Sequence, residues 1–303
     1  MTRYFEIPAG KPIFSDPFIP SYMKLFCKSF VRPLIIFLLC LSFFVNAVAQ
    51  KKNKAFKVIA FYTAKNDAAH ISFVHEANRW FPKIATENGF VYDSTNEWTN
   101  LNDTFLSKYQ VVLFLDTRPE DSLQRSAFER YMKNGGAWIG FHFAAFALTP
   151  SSYPQNWDWY HNEFIGAGQY KSNTWRPTSA ILRVEDAKHP MTRHLPVTFK
   201  SSPNEWYRWE KDIRTNPSIK ILLSIDSSSF PLGTGPKQYE IWHSGYYPVV
   251  WTNTNYKMLY VNMGHNDIDY GGTNKELSFQ FDNPIQNKMI IDGLLWLGGR
   301  KKK

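Results

Sequence analysis

Residues 135–144 read Gly-Gly-Ala-Trp-Ile-Gly-Phe-His-Phe-Ala. The glycine pair closes a helical pattern over about 121–134, because glycine just past the last periodic apolar residue is a common helix stop. The apolar run Ala137 to His142 follows at once and is short enough for a buried strand. Its end, G-x-H-x-A, marks a strand-to-turn junction where a tight backbone lifts one side chain, His142, above the sheet.

Upstream the same alternation recurs. Residues 57–62 (Lys-Val-Ile-Ala-Phe-Tyr) and 111–115 (Val-Val-Leu-Phe-Leu) are apolar runs, with a shorter one at 90–92. Phe73, Ala77, Trp80, Phe81 and Ile84 fall at helical spacing between the first two. Strands apolar on both faces, alternating with helices, predict a three-layer, doubly wound, flavodoxin-like α/β fold with a mainly parallel sheet. Downstream, the aperiodic Pro- and aromatic-rich stretch Thr149 to Tyr160 reads as an insertion over the sheet edge. Strand-like runs return at 180–184, 219–225, 239–242, 248–251 and 258–262, and a last amphipathic helix spans about 286–297, with Met289, Ile290, Leu294 and Leu297 inward. The second half therefore adds partly antiparallel strands to the same sheet.

The N-terminus has the layout of a secretory signal. Lys24, Lys28 and Arg32 precede an apolar run from Leu34 to Val45, and Ala47-Val48-Ala49 offers a small-residue cleavage site. The run is well short of the roughly 20 residues a membrane span needs. Cleavage after Ala49 is the expectation, with a retained anchor as the alternative, and Met23 is a second candidate start that would make residues 1–22 an upstream misreading. Residues 50–303 then form one domain, since no linker or internal repeat divides them.

Both cysteines, Cys27 and Cys40, lie inside the leader. The mature chain would have no disulfide, no thiolate ligand and no cysteine nucleophile. Cys40 follows Leu39, a poor fit to a lipoprotein site. Removing residues 1–49 lowers the formal charge from +9 to +6. The remaining Lys and Arg are scattered apart from the terminal clusters, which read as solvated tails and not as a nucleic-acid footprint. No G-x-G-x-x-G follows the first strand, and neither a phosphate loop nor G-x-S-x-G is present, so nicotinamide, ATP and serine-nucleophile chemistry lack their motifs.

In an open α/β sheet, ligands bind beyond the carboxyl ends of the strands, near the reversal of strand order. Polar residues stand there: Thr63, Lys65 and His70 after the first strand, Asp116 and Arg118 after the third, His142 after the fourth, and Asn262, His265, Asn266 and Asp267 after the last. His70 and His75 read as structural, because a spacing of five is not the i, i+4 pair that shares a helix face. His189 and His194 read as surface residues.

Several motifs occur in an order that carries a resemblance: Gly-Gly-x-x-x-Gly-x-His over 135–142, Trp157-x-Trp-Tyr160, Phe164-x-Gly-Ala167, His189-Pro190, Glu205-Trp-Tyr207 and Gly264-His265. Over residues 57–298 the chain resembles the ThuA-like family, a branch of the class I glutamine-amidotransferase superfamily without the cysteine nucleophile. The resemblance implies an amidotransferase-like fold with His142 at the former nucleophile position, so amidotransferase activity is excluded and imidazole is left for acid/base or metal work. His265 matches the superfamily's catalytic histidine, with Asp267 as its orienting acid.

The family takes its name from trehalose utilisation, and some relatives are associated with 3-keto disaccharides. That implies an acid/base enzyme on disaccharides or their 3-keto derivatives, of lyase, isomerase or hydrolase type. A non-catalytic sugar-binding module and a metal-dependent sugar hydrolase or lyase are the alternatives. Substrate contacts are expected from Trp159, Tyr160, Glu205, Trp206, His243 and Asn266, with a packed aromatic lid and a Glu205–Arg208 rim pair as the plainer readings. Glu163 reads as a local cap or pair. No cofactor is indicated except a divalent metal such as Zn²⁺, for which His142, His243, His265 and Glu205 are the donors. The expected partner is a small-molecule carbohydrate, with no nucleic acid and, after cleavage, no membrane; a homo-oligomer stays open, and the chain is expected to be exported, periplasmic or secreted.

Overall fold

Five parallel strands carry the amino-terminal half of the sheet: β1 (Lys57–Phe61), β2 (Val91–Thr95), β3 (Val111–Phe114), β4 (Ala137–Phe141) and, from late in the chain, β11 (Lys257–Val261), in the order β2-β1-β3-β4-β11. The computed structural model describes residues 55–174, 176–229, 247–269, 273–274 and 276–299. The leader, the run at 239–242 and His243 lie outside them. Beyond β11 the sheet continues antiparallel through β10 (Tyr247–Asn253), β9 (Ile219–Ile225), β6 (Ile181–Val184) and β7 (Thr198–Lys200). A separate antiparallel pair joins β5 (Tyr170–Asn173) to β8 (Tyr207–Trp209).

The central strands are buried on both faces, and their alternate residues feed two cores. Val58, Ala60, Val111, Leu113, Ile139 and Val261 face one side, where helices α1 (Ala68–Asn88) and α4 (Pro284–Leu297) contribute Phe73, Phe81, Met289 and Leu294. Ile59, Phe61, Val112, Phe114, Trp138 and Tyr260 face the other, against Phe128 and Met132 of α3 (Ser122–Lys133) and Leu106 of the short α2 (Asp103–Leu106). Period-two alternation within an all-apolar run is what a sheet between two helical layers requires. Truncating a side chain such as Phe128 at such a site costs about 3–5 kcal/mol.

Helix starts are set by side-chain caps. Asp67, Asp121 and Asn283 each accept two backbone N–H groups at the heads of α1, α3 and α4, and Gly89 ends α1 at φ 65°. Among the described residues no helix is long and apolar enough to cross a membrane. The Pro- and aromatic-rich stretch does not sit over an edge as expected. Trp157, Tyr160 and Phe164 pack into the α3-side core, Trp157 and Tyr160 stacking at 4.5 Å, because rings this large bury more apolar area against a sheet face than along its rim.

Strand order reverses between β1 and β3, since the chain runs outward from β1 to β2 and then returns to β3, β4 and β11. The carboxyl ends of those strands are therefore the expected ligand face.

Candidate active site

The loop after β1 is held open by Asp116, just beyond β3. Its carboxylate accepts from Thr63 N at 2.8 Å, Thr63 Oγ1 at 2.9 Å and Ala64 N at 2.6 Å. Burial raises the Asp116 pKa more than these donors lower it. The loop passes Ala64 and Asn66 at φ 51° and 70° and ends at Asp67, whose Oδ1 caps α1 through Ala69 N and His70 N. His70 thereby lies on the first helical turn, three residues after its cap, pointing into the strand ends.

His142 leaves β4 at φ 39°, a left-handed conformation uncommon outside glycine. Two residues earlier, a Cβ on Gly140 would lie 2.0 Å from Trp138 Cζ2, so the G-x-H spacing is demanded by the packed indole. The His142 carbonyl accepts from Tyr260 Oη at 2.8 Å, and its ring rests on Tyr207 with centroids 4.1 Å apart. Nδ1 is 3.3 Å from Asn262 Oδ1, while Asn262 Nδ2 donates to the Tyr207 carbonyl, which orients the amide so that Nδ1–H is the donor.

That leaves Nε2 of His142 facing Glu205 Oε2 at 3.3 Å, close enough for an ion pair though not aligned as a hydrogen bond. Glu205 is steadied by Asn173 Nδ2 on its Oε1 at 2.6 Å and by its own N–H, which donates to the His265 carbonyl at 2.9 Å. The small β5–β8 sheet thus brings Asn173 and Tyr207, and with them Glu205, to the ends of the large one.

His265 follows Gly264, whose φ of 134° and N–H bond to Asn204 Oδ1 at 3.0 Å set the turn after β11. Its Nε2 is 3.7 Å from Asp67 Oδ1. The ring centroids of His70, His142 and His265 lie 5.1–5.5 Å apart, so three histidines from three strand ends meet. All three are buried. Burial, then repulsion from the other two imidazoles, holds His70 well below the usual histidine range against the pull of Asp67. Burial also lowers His142 by more than Glu205 raises it. For His265 the balance reverses: burial lowers it, but Asp67 and Glu205 together raise it further. Burial of Asp67 acts upward, and His265 and His70 outweigh it, leaving the carboxyl well below its ordinary range.

Asp67 and His70 open onto a cleft of about 300 Å³ lined also by Thr63, Lys65, Phe143 and Tyr153, at the small end of the roughly 300–1,000 Å³ that ligand sites span. A hollow of about 390 Å³ shares Thr63, Lys65 and Tyr153 with it and extends to Trp98 and Arg118, whose pKa burial pushes down to about 10. The larger cavity of about 420 Å³ beside Gly136 and Lys257 lies at the opposite, amino ends of the strands and has no histidine in its lining.

Of the residues expected from sequence, His142, His265 and Glu205 come together. His70, read as structural, joins them, and so does Asp67. The acid beside His265 is Asp67, not Asp267, whose carboxylate accepts from the N–H of Ile268. Asn266 is buried, and its amide bonds to Pro203 O, Gln280 Oε1, Ser278 Oγ and Phe279 N, tying loops together. Tyr160 and Trp206 have no exposed surface and donate to the carbonyls of Ala144 and Thr178, and Trp159 donates to Tyr256 Oη; these rings pack the cores instead of lining the cleft. Phe143, Tyr153 and Trp98 are the aromatics that line the cleft and its extension. Glu205 pairs inward with His142 and Asn173, not with Arg208 at a rim. His189 is buried against Trp296, not on the surface. Glu163 does not pair locally: its carboxylate accepts from Tyr256 Oη, far along the chain. The signal for the missed pair was Asp67-x-x-His70, a cap and a first-turn residue on one side of a helix start.

Compared with known proteins, residues 57–297 match the ThuA family model, described as trehalose utilisation. A crystal structure described as a ThuA-like protein from Bacteroides uniformis is 33% identical, with a TM-score of 0.71, covering 82% of this chain and 94% of that one. A second, from Parabacteroides merdae, is 17% identical at a TM-score of 0.56, covering 82% and 92%, and shares the fold. No curated protein matches the chain.

Proposed function

The chain belongs to the ThuA family, and from that premise we propose that it is an exported enzyme that moves protons on a carbohydrate, a disaccharide or its 3-keto derivative, without amidotransferase chemistry. The observation that carries this reading is the buried His142–Glu205 pair, Nε2 to Oε2 at 3.3 Å, beside a cleft at the strand ends. A carbon next to a keto group is acidic enough for such a pair to deprotonate, provided the carbonyl oxygen meets an electrophile as charge develops. Asp67 and His70 line that cleft, with His265 packed against His70 behind them. The C–H electron pair forms the enediolate, and the proton stays on the His142–Glu205 pair. Return of the proton to the neighbouring carbon, with the hydroxyl proton of the enediolate passing to the former carbonyl oxygen, completes an isomerisation; departure of a β-glycosidic oxygen, which takes the proton, completes an elimination. Phe143 and Tyr153 offer faces for a sugar ring.

The test is mass-spectrometric product detection with trehalose, other disaccharides and their 3-keto derivatives, using wild type and His142→Gln. Turnover by wild type, lost in a folded variant, supports the reading. Silence across the panel with thermal stabilisation by a sugar would replace it with a sugar-binding role.

A further inference from the structure

We propose that Asp67, His70 and His265 form a binding site for one divalent transition-metal ion, with His142 and Glu205 facing its open side. The donor atoms of these three residues all lie within 4.8 Å of one another. Two imidazoles and one carboxylate suit Zn²⁺, Fe²⁺ or Mn²⁺, whereas Mg²⁺ and Ca²⁺ prefer all-oxygen sets. Three protein ligands also leave at least one coordination position for water or substrate, the pattern of catalytic rather than structural sites.

Burial makes the case stronger than proximity alone. His70 and His265 are 9% and 5% exposed, and His70 Nε2 and His265 Nδ1 have no hydrogen-bond partner among the described residues. An orphaned buried nitrogen costs about 1–3 kcal/mol; His70 Nε2 is such an atom in this cluster, while His265 turns Nε2, not its orphaned Nδ1, toward Asp67. The pair His194–Asp292 gives the contrast. That carboxylate is met by His194 Nδ1 at 3.1 Å and Lys288 Nζ at 2.8 Å. At the strand-end cluster no lysine or arginine pairs with Asp67 among the described residues.

The scaffold is also fixed before any ion arrives. Asp67 Oδ1 is anchored by its cap bonds, His70 by the first turn of α1, and His265 by the bond from Glu205 N to its carbonyl. Donors about 2.0–2.1 Å from a tetrahedral ion stand roughly 3.3 Å from each other. The 3.7 Å from Asp67 to His265 is near that spacing, and since no gap exceeds 4.8 Å the ion draws the set together by at most about 1.5 Å at its widest. Asp67, 47% exposed at its side chain, is the entry point. This ligand set replaces the one expected from sequence, keeping His265 and substituting Asp67 and His70. It stands independently of the sugar chemistry, although a metal ion there would serve as the electrophile that chemistry needs.

The experiment is calorimetric titration of chelator-stripped full-chain protein with Zn²⁺, with Mn²⁺ and Mg²⁺ in parallel. The expected result is one Zn²⁺ per chain, Mg²⁺ far weaker, affinity down at least about 100-fold in His70→Gln, His265→Gln and Asp67→Asn, and unchanged stoichiometry in His142→Gln and His194→Gln; ligand loss should exceed the 10–100-fold typical of outer-shell changes. Circular dichroism of each stripped variant checks its fold. Should a ligand variant not fold, electron paramagnetic resonance of the wild type with one equivalent of Cu²⁺ decides: two coordinated imidazoles support the site, and none overturns it. No stoichiometric binding, or binding untouched by all three substitutions, also overturns it. Metal binding without turnover of any sugar would leave the site standing and remove the catalytic reading; turnover by the metal-stripped protein would leave the catalytic reading standing and remove the ion's part in it.

Discussion

Asp67 Oδ1 lies 3.7 Å from His265 Nε2 while accepting the N–H groups of Ala69 and His70. One carboxylate thus starts helix α1 and forms one side of the histidine cluster, so its two duties separate by substitution. Asparagine caps nearly as well as aspartate, whereas alanine costs about 0.5–2 kcal/mol. Asp67→Ala is expected to lose about 1 kcal/mol in urea unfolding relative to Asp67→Asn. Both lose the charge facing His265, so both should lose turnover alike. Full activity in Asp67→Asn would leave this carboxylate a cap and nothing more.

Gly140→Ala is expected to destabilise by about 1–3 kcal/mol, as overpacking does. The added methyl would meet Trp138 at 2.0 Å, in a strand with no room to yield. Thermal unfolding measures this, and activity should fall in step because β4 aims His142. A neutral substitution would mean that the Trp138 ring moves freely.

The aromatics divide by role. Trp206→Ala should cost about 3–5 kcal/mol and leave KM for a sugar unchanged in whatever folds, since the ring is in the core and its indole donates to Thr178 O at 2.7 Å. Phe143→Ala should raise KM with a smaller loss of stability, because the ring lines the cleft. Chemical unfolding and steady-state kinetics on the two variants would expose a reversal.

Acid stability should carry the mark of His161. This residue has no exposed surface, and burial first, then Arg118 and Arg125, push its pKa down to about 3. Unfolded, it titrates near 6.5. Between about 6.5 and about 3 the unfolded chain therefore binds a proton that the folded chain does not, and stability falls as pH falls through that window, by at most about 1.4 kcal/mol per pH unit. Above it the group contributes no slope. His161→Phe should flatten the acid limb of stability against pH; an unchanged slope would assign the limb to other groups.

The parallel half of the sheet was legible because β1, β3 and β4 are apolar runs separated by helical periods, a pattern local in the sequence, and β11 is an apolar run of the same kind. His142, His265 and Glu205 were legible as strand-end or motif residues. His70 was not, because the pairing rule for metal ligands asks for two histidines on one helix, and this cluster takes one histidine from each of three segments. Trp206 misled for a related reason. Glu205-Trp206-Tyr207 reads as an acid among stacking aromatics, yet strand-like alternation sends Glu205 to the site and Trp206 into the core. Which face a short strand presents is set by its partner, here β5, and β5 has no apolar pattern of its own.

The proton-transfer reading is tested most directly by solvent isotope exchange. A 3-keto disaccharide is incubated with enzyme in D₂O, and the carbons flanking the ketone are followed by proton NMR. The account predicts wild-type incorporation of deuterium at one of those carbons, lost in folded His142→Gln and Glu205→Gln, with the double variant no worse than the poorer single one because the two residues act as a unit. Product formed without deuterium at either carbon, or incorporation undiminished in both variants, would contradict it.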